Sequence, residues 1–291
     1  MDEESARPPL RIAVVGHVEH VTLGRVSAVP RAGEIVHVAS PRWFPGGGGG
    51  VAFLQLARSD AEVHLFTALG DDEAGAQVAA ALSHAGAGRS GRPRLHVVHR
   101  RGAPHTRCIA MIGPDGERTI VVVGEPHHPR GDDPLPWDVL ARCDAAYFTA
   151  DDPAALRAAR FARVLVATAR RRGVLAAARV RADVVVGSAS DARERSRLAE
   201  YPTPPGALVL TEGAQGGRIE TASGTARFPA PPPPPPGGGA YGAGDSFAAA
   251  LTFYLAAGLP LADACARAGR HGVAVLAGLD PRETQLPLER P

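Results

Sequence analysis

The chain has 291 residues, enough for one large α/β domain or two ordinary ones. Hydrophobic residues make up 45% and charged residues 21%, which allows a sizeable core, and a formal net charge of +2 gives nucleic acid or a membrane surface nothing to select. All 32 basic residues are arginine and asparagine is absent, a bias that points to a GC-rich coding sequence rather than a physical demand. Cys108, Cys143 and Cys265 are scattered and odd in number, which describes reduced thiols of a cytoplasmic protein better than a disulfide framework. The acidic start, Met1-Asp2-Glu3-Glu4, lacks the apolar run of a signal peptide, and no apolar stretch is long enough to span a bilayer.

In chain order, residues 1–9 read as a loose tail. An apolar strand at 11–16 ends in glycine, and extended pieces at 18–26 and 34–38 flank a turn at 30–33. Pro45 and the five glycines Gly46 to Gly50 open a helix, and 62–67 is a strand that turns through Leu69-Gly70-Asp71-Asp72 into a second helix ending near Leu82. Strands at 95–100, 105–112 and 118–123 follow, the last two joined by the hairpin turn Gly113-Pro114-Asp115-Gly116. Short apolar strands at 145–149, 164–167, 184–186 and 208–211 then alternate with helical patterns. Such alternation predicts a doubly wound, mostly parallel sheet flanked by helices. The two β-rich patches, 17–40 and 95–123, break that rhythm and suggest a small separate sheet acting as a lid. The run Pro231 to Pro236 with Gly237 to Gly239 reads as a loop.

That loop leads into the most telling segment, Tyr241-Gly242-Ala243-Gly244-Asp245-Ser246-Phe247, followed by an apolar helix. Small residues let the backbone approach a ligand, and the first N–H groups of the helix form an anion site. Asp245 at that place is poorly suited to bind phosphate and well suited to take a proton from a hydroxyl that attacks phosphate. Taken alone, the same residues describe a tight turn capped by an acid.

Together these segments resemble the ribokinase-like, or PfkB, carbohydrate kinases, from Gly16 to about Gly278. The resemblance implies one kinase domain over 10–280 with tails at 1–9 and 281–291, and a lid drawn from 17–40 and 95–123. It implies transfer of the γ-phosphate of ATP, with Mg²⁺, to a hydroxyl of a sugar or similar small polyol. A nucleoside or sugar phosphate as acceptor, or a nucleotide- or metabolite-binding protein with weakened catalysis, are the alternatives. Gly242-Ala243-Gly244-Asp245 matches the end of the family's D-T-x-G-A-G-D, with Asp245 as catalytic base and the three preceding residues as an anion hole. Gly239 and Ala240 replace the leading Asp-Thr, so the family's monovalent-cation site is not carried over. Gly46 and Gly47, with Gly48 after them, match the glycines of G-G-x-x-x-N on the substrate side, but Val51 replaces the asparagine. Val21 stands where relatives carry a sugar-gripping aspartate, with Glu19 and His20 nearby to substitute. Arg118 belongs to a hairpin that resembles the lid, and the resemblance puts it among the substrate-binding residues. Thr211, Gly213 and Gly216 are similar to the T-x-G-x-x-G nucleotide loop. Ser188 and Asp191 resemble the ends of N-x-x-E, with Asp191 ordering magnesium through water. Lid sheets in relatives pair between subunits, so a homodimer through the lid is a further expectation.

Overall fold

The structure is a computed structural model that describes residues 8–86, 93–234 and 238–291. Its valine-, leucine- and isoleucine-rich runs become strands. In chain order they are β1 (Arg11–Val15), β2 (Glu19–Arg25), β3 (Ala39–Gly46), β4 (Glu62–Gly70), β5 (Arg94–Arg100), β6 (Arg107–Ile112) and β7 (Arg118–Val123). After these come β8 (Ala145–Phe148), β9 (Val164–Thr168), β10 (Val184–Ser188), β11 (Ala207–Thr211), β12 (Gly217–Thr221) and β13 (Gly224–Phe228). Nine of them form one sheet in the order β13-β12-β11-β10-β9-β8-β1-β4-β5. Neighbours from β11 to β5 are parallel, and only β12 and β13 run antiparallel at one edge.

The helices are α1 (Gly47–Leu56), α2 (Glu73–Ser83), α3 (Pro153–Ala159), α4 (Arg172–Ala178), α5 (Ala243–Ala256), α6 (Leu261–Ala274) and α7 (Pro281–Thr284). Side chains of α1, α2, α5 and α6 share one core cluster with alternate residues of the sheet, and those of α3 and α4 share a second on its other face. A sheet buried on both faces needs apolar residues at successive positions, which explains the unbroken runs read in the sequence. The helix α5 is buried nearly all round because it lies between α1, α6 and the sheet.

A second sheet has the order β3-β2-β6-β7, with β2 and β6 parallel and the two outer pairs antiparallel. Its inner residues Val21, Leu23, Phe44, Cys108, Ala110 and Ile112 form a third apolar cluster with Val51 and Tyr241. This cluster fastens the small sheet to the start of α1 and the turn before α5.

Three expectations change. The strand at 95–100 does not join the small sheet: β5 pairs with β4 along its whole length, from His64 opposite Arg94 to Gly70 opposite Arg100. A strand, helix and parallel strand in succession close on the same sheet, so β4, α2 and β5 stay together. Residues 34–38 are not a strand. The partner of β2 is β3, which runs directly into the glycine turn, Glu19 lying opposite Gly46. Residues 281–291, expected as a tail outside the domain, pack onto it: they carry α7, and Leu288 is buried and donates its N–H to the carbonyl of Arg58. Residues 1–7 of the expected N-terminal tail, and 235–237 of the expected proline-glycine loop, lie outside the described residues. Cys108, Cys143 and Cys265 are buried free thiols. Among the described residues no helix is long and apolar enough to cross a membrane.

Candidate active site

The site is assembled at the C-terminal ends of β1, β8, β9, β10 and β11, where ligands of doubly wound sheets bind. The turn before α5 puts Gly242 at φ +81°, and a side chain there would be strained and would meet Val51 at 3.1 Å. The first internal bond of α5 runs from the Ser246 N–H to the Gly242 carbonyl at 2.9 Å. The N–H groups of Ala243, Gly244 and Asp245 come before it and point their positive ends out of the helix. A Cβ on Gly244 would stand in open space, so the approach to these donors is clear. Gln285 braces the arrangement: its side-chain amide donates to the carbonyl of Val51 at 3.0 Å and to Ser246 Oγ at 3.1 Å. One residue from the supposed tail thus joins the starts of α1 and α5.

Asp245 accepts a hydrogen bond from the Tyr147 hydroxyl at 3.3 Å. Burial, with the nearby charge of Glu194, raises its carboxyl to about 6 against the opposing pull of Arg170, the Tyr147 bond and Arg118. A carboxylate poised close to neutrality is a usable base at physiological pH.

Facing Asp245 is the turn Gly46 to Gly48, which four side chains approach. A Cβ on Gly46 would lie 2.6 Å from the Tyr241 hydroxyl, one on Gly47 3.2 Å from Glu19 Cγ, and one on Gly48 3.1 Å from Asp245 Oδ1 and 2.7 Å from Thr149 Oγ1. These glycines are therefore required by close packing, with Gly47 also at φ +71°. Glu19 is a buried acid, with His17 Nε2 3.7 Å from its carboxylate. Burial and then the charge of Asp245 together raise its carboxyl to about 7. His17 is lowered to about 3 by burial, then by His128 and Arg171, so it is neutral. Two acids thus face one short glycine turn with little compensating charge.

On the other flank, Ser188 and Thr211 lie side by side at the ends of β10 and β11. Thr211 leads into a turn in which Gly213 has φ +57° and Gly216 φ +80°. A Cβ on Gly216 would lie 2.2 Å from the carbonyl oxygen of Phe228. Beside this turn Arg170 bridges two acids, Asp191 at 2.7 Å and Glu194 at 2.6 Å. Asp191 also accepts the Arg193 N–H at 2.9 Å, and Glu194 the Ser188 N–H at 2.9 Å. The backbone and arginine bonds hold Asp191 below the usual carboxylate range, against the opposing effect of burial. On the lid, Arg118 donates to the Ala240 carbonyl at 2.9 Å, just ahead of the anion turn.

The structure thus brings together Asp245, Gly242, Ala243, Gly244, Gly46, Gly47, Gly48, Glu19 and Arg118, and it groups Ser188, Asp191, Thr211, Gly213 and Gly216 on a second flank. Two expected residues fall outside. His20 lies on the opposite face of β2 from Glu19, stacked on Trp43 at 5.0 Å and bonded to Gln77, because successive strand residues alternate faces. Val51 is wholly buried beneath Gly242 and supports the turn instead of lining the cleft. Sequence reasoning missed Glu194, Arg170, Tyr147, Thr149 and Tyr241. Four of these five follow the apolar strands β8 to β10 or sit in their last turn. The rule that ligands gather at strand ends was the available signal.

The sequence matches the family described as pfkB family carbohydrate kinase over residues 10–284. The chain belongs to that family. It is accordingly a kinase, a phosphotransferase with an alcohol group as acceptor. Solved structures share the fold of this pfkB family member at low identity. A ribokinase from Cryptococcus neoformans var. grubii serotype A in complex with ADP has a TM-score of 0.73 and 20% identity, covering 97% of this chain and 98% of that one. An Arabidopsis thaliana ribokinase complexed with ribose and ATP has a TM-score of 0.70 and 14% identity, covering 96% of each chain. An adenosine kinase from Sinorhizobium meliloti has a TM-score of 0.71 and 15% identity, covering 94% of this chain and 96% of that one. No sequence relative is found among curated proteins.

Proposed function

We propose that this family member transfers the γ-phosphate of ATP to a hydroxyl of a sugar or similar small polyol, with Asp245 as the general base. The observation that carries the reading is a carboxylate held near neutrality beside three unpaired helix N–H groups, opposite a glycine turn. Asp245 accepts the proton of the acceptor hydroxyl as its oxygen bonds to phosphorus, and ADP leaves. The N–H groups of Ala243, Gly244 and Asp245, with Gly242 setting the turn, hold the oxygens of the migrating phosphoryl group as charge develops. Glu19, with the turn Gly46 to Gly48, orients the acceptor, and Arg118 ties the lid to the anion turn. Thr211, Gly213 and Gly216 line the nucleotide beside Ser188. The ADP and ATP complexes of the fungal and plant ribokinases support the choice of nucleotide.

Magnesium, when bound with the phosphates, neutralises their charge. The residues present fit it as holders through water. Both oxygens of Asp191 and both of Glu194 are already engaged by Arg170 or by backbone N–H groups, so neither acid offers a bare pair of ligands. No group of three or more His, Cys, Asp or Glu among the described residues has metal-site geometry.

A nucleoside acceptor is the second reading, favoured by the adenosine kinase likeness. ADP release measured with sugars, polyols, nucleosides and sugar phosphates separates the two. Release with none of them, while ATP still raises the melting temperature, sinks both. The compartment we assign is the cytoplasm, in keeping with three free thiols. The partner we assign is a second copy of the chain meeting through β7. Residues Ile120 to Val123 of that strand are 40–48% exposed at the edge of the small sheet. Sedimentation of wild type against Val122→Lys tests that pairing.

A further inference from the structure

The acceptor side of the cleft contains a side chain that the chemistry above does not use. Tyr241 stands one residue before the anion turn, 7% exposed, with its ring against Phe44 at 5.4 Å and among the apolar residues of the small sheet. Its hydroxyl accepts the Gly47 N–H at 3.1 Å. That N–H belongs to the first residue of α1, has no partner inside the helix, and lies on the same turn that brings Gly48 to Asp245. A hydroxyl of a bound acceptor reaching along this turn from Asp245 would meet Glu19 first and the Tyr241 hydroxyl next. The phenol packs into the same apolar cluster as Val21 and Val51, both fully buried. The glycines make the turn narrow, and Tyr241 fills its far end.

We propose that Tyr241 is a specificity-determining residue that shortens the acceptor pocket and restricts it to short polyols with adjacent hydroxyl groups. This rests on the kinase reading above and names the acceptor class for the same site. One hydroxyl faces Asp245 and reacts. The neighbouring hydroxyl donates to Glu19, a buried carboxyl whose ion-pair contact among the described residues is His17 at 3.7 Å. No third position remains, because the donor that would hold it is already satisfied by the tyrosine. A pentose ring or a nucleoside needs the space that the phenol occupies.

The test compares wild type, Tyr241→Ala and Tyr241→Phe, with glycerol, erythritol, ribose and adenosine as acceptors. ADP release gives kcat/KM, and titration calorimetry gives acceptor binding independently of turnover. Wild type is expected to prefer glycerol or erythritol. Tyr241→Ala is expected to raise the ribose-to-erythritol ratio of kcat/KM at least about tenfold, the scale of opening a pocket by several carbon atoms. Tyr241→Phe keeps the ring and is expected to keep the wild-type order. Tyr241→Val, which preserves an apolar contact with Phe44, repeats the comparison if the alanine variant folds poorly. Wild type that turns over ribose or adenosine as well as erythritol overturns the proposal, as does an unchanged ratio in both Tyr241→Ala and Tyr241→Val. If no variant releases ADP but calorimetry finds ribose binding gained by Tyr241→Ala, the size restriction stands and the kinase reading falls. If ADP is released and the ratio does not move, the kinase reading stands and the size restriction falls.

Discussion

The two walls of the cleft are made differently. The wall we propose for phosphate, at the start of α5, is backbone: N–H groups of Ala243, Gly244 and Asp245 presented by a left-handed glycine. The wall we propose for the acceptor, along Gly46 to Gly48, is shaped by side chains that press on it: Tyr241, Glu19, Thr149 and Asp245. A backbone wall recognises charge and tolerates any sequence that allows the turn, so its chemistry is general to phosphoryl transfer. A side-chain wall recognises shape and donors, so it carries the choice of acceptor. In this chain the first wall retains the small residues its task requires. On the second, Val21 and Val51 are buried in an apolar cluster where the resemblance calls for sugar-binding polar groups.

The sharpest way to break that division is Asp245→Asn, since Asp245 belongs to both walls. Loss of the base should lower kcat by about 10²–10⁴-fold while leaving ATP affinity within a few fold. Equal turnover, measured by ADP release, removes Asp245 from the chemistry. Next in size is Gly48→Ala. Its Cβ would lie 2.7 Å from Thr149 Oγ1 and 3.1 Å from Asp245 Oδ1, so one of the two must shift. A displacement of that kind should reduce kcat roughly 10²-fold, with the ATP KM unchanged. A variant as fast as wild type would mean that the acceptor wall is looser than its contacts. Glu19→Gln comes third. It keeps the shape but weakens the acceptor for a substrate hydroxyl, so the acceptor KM should rise about tenfold and the ATP KM should not.

The pH profile sharpens the comparison further. Asp245 must be ionised to act as a base, and its carboxyl is raised to about 6, so kcat/KM should rise with pH through about 6 and level above it. Arg170 favours the ionised form, and Glu194 opposes it. Arg170→Met should therefore move the acidic limb upward, and Glu194→Gln should move it downward. Shifts in the same direction would show that the two residues act through folding and not through charge.

Much of this was legible before any coordinates. The strands alternating with helices, the turn Gly242–Asp245 and the glycines at 46–48 are local patterns with local causes. The small sheet was harder to read. Residues 95–100 and 107–112 look alike as short apolar strands, yet β5 extends the main sheet and β6 the small one. Only the crossover through α2 decides between them, and that is a property of three elements together. Glu194 and Arg170 escaped because they meet only when β9 and β10 are laid side by side. Gln285 escaped because the last residues lack any periodic pattern, although its amide binds the starts of two distant helices. Val51 was misplaced by register on a helix: alignment gave it a ligand position, while packing turned it inward.

The smallest expected effect concerns stability, and its sign follows from two opposing sets of groups. Burial lowers His17 and His128 to about 3 and His96, His105 and His271 to about 4. Each is neutral in the folded chain and titrates near 6.5 when unfolded, so its contribution is complete above about pH 6.5 and is lost as pH falls below that value. Glu19 and Asp245 work the other way. Their carboxyls are raised to about 7 and about 6, so ionising them costs stability at neutral pH, and acidification toward about 4 relieves the cost. Burial lowers His64 as well, so six histidines oppose two acids, and the melting temperature should fall between pH 7.5 and pH 5, by about 5 °C or more. A rise over that range would mean that the histidines are solvated. His271 allows the balance to be checked away from the cleft, because it is buried in α6 with Nε2 3.0 Å from the Tyr254 hydroxyl. His271→Gln keeps a hydrogen-bonding group there and removes one proton uptake on unfolding. The fall with acid should become shallower while kcat/KM at pH 7.5 stays unchanged. An equally steep fall would place the acid sensitivity in the remaining histidines, among them His17 and His128, whose rings lie 4.9 Å apart.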